Sequence, residues 1–180
     1  MACGGLKPFI CQRWGMGESC WGGAGGNWPR QNERVDVSVV RQVDALHCGP
    51  ACAEMLLRKR GILHVDQQAI GSVCGVPVWP TSLAQTMQQL ASASGQWTGG
   101  WAVGTGLTPQ AVFEILCATG AWAAMLWTPG ERIGHMVVVD GLEQTGAVCV
   151  RDPWPPGTTY TMSRRDFLDY WTEQAIFWRA

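Results

Sequence analysis

The chain has 180 residues, 13 Lys+Arg against 14 Asp+Glu, a formal net charge of −1 and 47% hydrophobic residues. That length suits one domain with a substantial core, and the balanced charge gives no argument for nucleic acid or an anionic membrane as partner. No apolar run approaches the ~20 residues of a membrane span, and the opening MACGGLKPFI lacks the basic start and apolar core of a secretory signal. The expected location is therefore the cytoplasm, or outside it by a route that reads no signal peptide.

Residues 1–34 form an arm apart from the domain expected over 35–180. The arm is rich in Gly and carries three Cys and three Trp, at 14, 21 and 28. Glycine at that density opposes helix and strand alike, so a loop-rich arm is expected that either packs its tryptophans on the domain or stays mobile. It also holds the glycine pairs Gly4-Gly5, Gly22-Gly23 and Gly25-Gly26, with no amphipathic helix ahead of them.

Residues 35–43 alternate and are β-branched, which predicts a short strand. The stretch QVDALHCGPACAEMLLRKRG follows. Gly49 and Pro50 suit the first turn of a helix over about 51–60, since proline has no N–H to lose there; Arg58, Lys59 and Arg60 suit its carbonyl end, and Gly61 stops it. A second short helix is expected over 66–74, an extended Pro-containing connector over 76–80, and a helix over 83–93 capped by Thr81 or Ser82. Residues 96–103 read as extended. Thr108 and Pro109 then open a helix over 110–119 that Gly120 ends.

The last third changes character. Residues 121–127, 135–141 and 147–150 are apolar, separated by turn residues, and read as consecutive antiparallel strands. A further strand over 158–161, a helix over 164–171 capped by Ser163 and a returning strand over 175–178 complete an α+β pattern, with helices first and sheet afterwards.

Eight cysteines lie at 3, 11, 20, 48, 52, 74, 117 and 149 with no Cys-x-x-Cys pair, against a zinc ribbon or dithiol site. Cys74, Cys117 and Cys149 read as reduced core residues, which points to a reducing compartment. Cys48 differs because it opens a helix, where free N–H groups and the dipole favour a thiolate. At this stage it is either a nucleophile or one more packed cysteine.

A thiol nucleophile needs a base, and the chain has three histidines. His47 adjoins Cys48 and would face away from it, and His64 falls in a loop. His135 starts the apolar strand GHMVVVDG, and Asp152, seventeen residues on, ends the next one. If those strands pair, Asp152 returns beside His135, where an orienting carboxylate belongs. Gln42, six residues before Cys48, could add a side-chain N–H to the Cys48 backbone N–H in binding an oxyanion.

Gln42, Cys48-Gly49-Pro50-Ala51-Cys52, His135-Met-Val-Val-Val with Gly141, and Asp152-Pro153 together resemble the papain-like cysteine peptidases, most closely the bacteriocin-processing or double-glycine leader peptidases. The resemblance spans about residues 36–178. It implies a papain-like fold, Cys48 as nucleophile, His135 as general base and acid, Asp152 as its orienter, Gln42 as oxyanion donor, a peptide or protein substrate, and no cofactor or metal. His47 stands where that family often has an acidic residue, and no transporter membrane domain follows as is common there.

Two other readings remain. One keeps the triad but changes the acceptor or the bond, giving a deamidase, transglutaminase or acyltransferase acting as a toxin or effector. The other is a non-enzymatic module that binds a peptide, or a metal through Cys48, Cys52 and His47.

Overall fold

The computed structural model describes residues 26–91, 95–102 and 106–179. The elements are β1 (Gln31–Val35), α1 (Cys48–Lys59), α2 (Gln67–Cys74), α3 (Pro80–Leu90), β2 (Gln96–Trp101), α4 (Pro109–Ala118), β3 (Trp122–Leu126), β4 (His135–Leu142), β5 (Val148–Asp152), β6 (Thr158–Met162), α5 (Arg164–Tyr170) and β7 (Trp171–Arg179). The strands form one antiparallel sheet in the order β1-β6-β5-β4-β3-β7-β2.

Strand period two divides the core between the two faces of this sheet. Met136 and Val138 of β4 join one apolar cluster with Ala51, Met55 and Leu56 of α1 and with Leu83 and Met87 of α3. Val137 and Val139, next to them in sequence, join the other, with Phe113 of α4 and Phe167 of α5. That second face is an aromatic nest: Trp122 meets Phe113, Phe167 and Trp171 at ring-centroid separations of 6.1, 6.0 and 5.6 Å, the edge-to-face range in which aromatic quadrupoles attract.

The helix starts follow local rules. Asp66 accepts from the Ala69 N–H, Thr108 from Ala111 and Ser163 from Asp166, each an N-cap to its helix. Helix α3 differs from expectation: Trp79 is its N-cap, with no side-chain cap bond, and Pro80 begins it, so Thr81 and Ser82 already lie inside. Proline's fixed φ starts the helix without a capping hydroxyl.

The strand expected over 35–43 lies elsewhere. Strand β1 ends at Val35, and the Asp36 side chain accepts from the Ser38 N–H and hydroxyl, a local turn that outcompetes extension. The expected strand over 175–178 is the end of the longer β7, which pairs with β3 on one side and β2 on the other, so the sheet draws strands from along the whole described chain. Cys74, Cys117 and Cys149 are free and half-buried rather than central. Cys3, Cys11, Cys20, Trp14, Trp21, the glycine pairs at 4–5 and 22–23, and Gly25 lie outside the described residues.

Among the described residues no helix is long and apolar enough to cross a membrane.

Candidate active site

Helix α1 presents Cys48 at its first turn, and every residue from Cys48 to Leu57 is buried. Burial alone would push the Cys48 thiol up; His135, by hydrogen bond and charge, and the backbone N–H groups of Met136 and Gly49 outweigh it, and the thiol ends below its ordinary value. Cys52, one turn along, lacks those partners. Burial and the neighbouring Cys48 hold its thiol well above the ordinary value, and it donates to the Met136 carbonyl at 3.2 Å.

Strand β4 delivers His135 beside Cys48. Gly134, just before it, runs so close to β3 that a Cβ there would come within 2.6 Å of the Met125 sulfur and 3.0 Å of the Leu126 carbonyl oxygen. His135 is 2% exposed, and its Nε2 lies 2.6 Å from Asp152 Oδ1. Burial disfavours the imidazolium, yet the Asp152 charge and hydrogen bond, with the contribution of Cys48, raise the imidazole to about 10. The two shifts run in the directions that favour the proton on the ring over the sulfur.

Asp152 is 1% exposed, and its carboxyl is held below the ordinary range: burial opposes ionisation, and His135, the Trp154 N–H and the Tyr160 hydroxyl overcome it. Oδ1 accepts from the Trp154 N–H at 2.9 Å as well as facing His135, and Oδ2 accepts from Tyr160 at 3.2 Å. The β4–β5 pairing expected from sequence is present and brings the two strand ends together.

Gln42 is buried, and its loop is fixed from three directions. Its backbone N–H donates to the Pro153 carbonyl at 2.9 Å, its Nε2 to the Asp44 carbonyl at 2.6 Å, and the Gln67 side chain bridges the flanking backbone groups of Arg41 and Val43. One hydrogen of the amide is committed to Asp44, and Oε1 is buried without a partner. His47 faces away from Cys48, with Nδ1 2.8 Å from Asp44 Oδ2 and its ring against Gly71; His64 is exposed. His47 therefore does not join Cys48 and Cys52, and among the described residues no three His, Cys, Asp or Glu groups are placed to hold a metal ion.

Beside Cys48 runs a narrow apolar recess, walled by Leu46, Val78, Met125, Ile133 and Met136. On the far side of the histidine are three residues that sequence reasoning missed. Trp28 stacks on the His135 ring at 5.9 Å and 16°, Trp154 meets it edge-on at 6.2 Å, and the Trp28 indole N–H donates to the Tyr160 hydroxyl at 2.8 Å. Tyr160 was recoverable from alternation: it sits two residues from Thr158, the register partner of Asp152, on the same sheet face. Trp28 had no local signal.

No protein-family model matches the chain. Among solved structures, the peptidase domain of Streptococcus ComA, a bi-functional ABC transporter involved in a quorum-sensing pathway, superposes with a TM-score of 0.63 at 21% identity, covering 77% of this chain and 95% of that domain. A double glycine motif protease from an AMS/PCAT transporter, solved in complex with its leader peptide, superposes at 0.56 with 16% identity, covering 85% and 95%. The fold is that of the double-glycine peptidases. A curated relative, Cysteine protease effector 1 of Escherichia coli O1:K1:H7, is 36% identical over 156 residues. That match takes in 87% of this chain and 30% of the relative, so the chain spans about a third of that protein's length. The double-glycine peptidase fold meets the expected α+β architecture, with the helix that carries Cys48 packed on the sheet.

Proposed function

We propose that the chain is a cysteine peptidase, the proteolytic part of an effector, that cleaves peptide bonds through Cys48, His135 and Asp152. The observation that carries this reading is the buried chain of contacts from Asp152 Oδ1, 2.6 Å from His135 Nε2, to the depressed Cys48 thiol at a helix N-terminus. Similarity to a cysteine protease effector and to double-glycine peptidase domains supports it.

In this mechanism the Cys48 thiolate attacks the scissile carbonyl carbon. The oxyanion takes the Cys48 backbone N–H and the second Nε2 hydrogen of Gln42. The His135 imidazolium gives its proton to the departing amine, leaving an acyl-enzyme. A water then transfers a proton to His135 and attacks the thioester, the carboxylate product leaves, and the thiolate–imidazolium pair is restored. Asp152 keeps the ring in one orientation and stabilises its charge throughout. The recess beside Cys48, tight at Gly134 and Met125, suits an extended peptide with small residues at the cut, and the leader-peptide complex of the PCAT protease is in keeping with that substrate class.

The test is site-resolved alkylation of the native chain by iodoacetamide near pH 6, in wild type and His135→Gln. Cys48 labels fast in the wild type and slows at least about tenfold in the variant, because a thiol that loses the imidazolium returns toward its ordinary value. Equal labelling of the two proteins removes the pair and the mechanism with it. Ammonia release without chain cleavage in a glutamine-containing peptide would replace the peptidase by a deamidase on the same residues.

A further inference from the structure

Trp28 lies in the stretch ahead of β1, 107 residues from His135 in sequence, yet only 3% of its surface is exposed and its ring lies almost parallel to the imidazole. We propose that Trp28 is a positioning residue of the site: stacked on His135 and donating to the Tyr160 hydroxyl that holds Asp152, it fixes the His135–Asp152 pair and keeps water from it. The inference rests on the peptidase reading only in taking that pair as the partner of Cys48.

The donor and acceptor inventory gives the relay its direction. An indole N–H only donates, so at the Tyr160 hydroxyl it occupies an oxygen lone pair. The hydroxyl hydrogen is then left to point at Asp152 Oδ2, 3.2 Å away, and the accepted bond polarises it toward that oxygen. Asp152 Oδ1 is fixed separately by the Trp154 N–H and His135. Both carboxylate oxygens are therefore committed, and the ring they orient has Trp28 across one face and the edge of Trp154 against it. Trp28 is in turn braced by Tyr170, edge-on at 6.1 Å, and its segment is tied down where β1 pairs with β6. Arg30, two residues on, lies over the Tyr160 ring at 5.7 Å. A residue that merely filled a gap would need neither the stack nor the directed hydrogen bond.

The test uses the full chain and two readouts that need no substrate. One is the iodoacetamide rate at Cys48 at pH 6 and pH 10; the other is the exchange with water of the His135 Nε2 proton, followed by proton NMR. In Trp28→Ala, alkylation at pH 6 falls about tenfold while the rate at pH 10 is unchanged, since one unit in thiol pKa is a factor of ten below that pKa. The Nε2 proton exchanges at least about tenfold faster. Trp28→Phe, which keeps a stacked ring and loses the donor, and Tyr160→Phe, which keeps the packing and loses the hydroxyl, each give a smaller shift of about threefold in both readouts. These two decide the matter if Trp28→Ala does not fold. Wild-type behaviour in both, or slowing of equal size at pH 6 and pH 10, overturns the proposal. His135→Gln separates the two ideas: if it labels as fast as wild type at pH 6, the Cys48–His135 reading itself fails, whereas a slow His135→Gln beside unchanged Trp28 and Tyr160 variants sinks only the positioning role.

Discussion

Charged groups join helix α1 to strands β4 and β5 near both ends of the helix, at Cys48 and at Lys59, and the two ends behave differently. At one, Cys48, His135 and Asp152 meet with His135 and Asp152 side chains 1% and 2% exposed. At the other, Asp140 of β4 takes Lys59 of α1 at 2.8 Å and Arg151 of β5 at 2.6 Å, with Lys59 52% and Asp140 28% exposed. The elements and the pairing of opposite charge are alike. At the exposed end the Lys59 side of the network is open to water, while Asp140, whose burial opposes ionisation, is held below the ordinary carboxylate range by Arg151 and Lys59. At the buried end solvent cannot stabilise a lone charge, so each group's protonation is set by its neighbours, and a thiolate and an imidazolium can coexist. Burial opposes both charges there, and the pairing of His135 with Asp152 and Cys48, undiluted by solvent, is what outweighs it.

The sharpest way to break that comparison is at the thiol. Cys48→Ala removes the proposed nucleophile and leaves a side chain the same helix already accommodates at Ala51 and Ala53. Peptide cleavage should fall by at least about 10^4-fold, the scale seen when a nucleophile that works with its base is removed, while the thermal midpoint moves by no more than a few degrees. Cleavage that persists in the variant would place the chemistry outside this end of the helix.

Asp152→Asn keeps the shape and removes the charge, which should cost on the order of 10²-fold in kcat, within the range ascribed to positioned acid–base groups. It also moves the pH profile. In the wild type the acid limb reports Cys48, lowered from its ordinary value despite burial, and the alkaline limb reports His135 at about 10. Burial lowers the His135 pKa, and the Asp152 charge is the largest influence raising it. Without that charge the alkaline limb of kcat/KM shifts to lower pH. A full-rate enzyme with an unmoved limb would show that Asp152 does not act on His135.

The same contrast explains what was legible in the sequence. Helices, caps and the β3–β4–β5–β6 run follow from local rules, and so did the prospect that His135 and Asp152 meet, because one hairpin of alternating strands joins them. Gln67, which pins the loop of Gln42, and Trp28, which backs His135, act across 24 and 107 residues of sequence. Neither carries a periodic signal, since a single side chain reaching a distant backbone or ring leaves no pattern in its own neighbourhood. The 35–43 strand failed for the converse reason: its β-branched composition was right, but Asp36 with Ser38 closed a turn that alternation alone does not register.

The smallest effect belongs to the exposed end. Lys59→Ala removes a hydrogen-bonded ion pair with Asp140, yet more than half of the lysine side chain is in water, and Arg151 remains on Asp140 through two hydrogen bonds at 2.6 and 2.9 Å. An exposed pair of this kind contributes roughly 0.2–1 kcal/mol, and the loss shrinks as salt screens it. Denaturant unfolding should therefore show a change within that range at low salt and less at high salt, with Cys48 alkylation at pH 6 equal to wild type. If Lys59→Ala slowed Cys48 labelling, the two ends would be electrically coupled through α1, and the local pairing of Cys48 with His135 would no longer suffice to explain the lowered thiol.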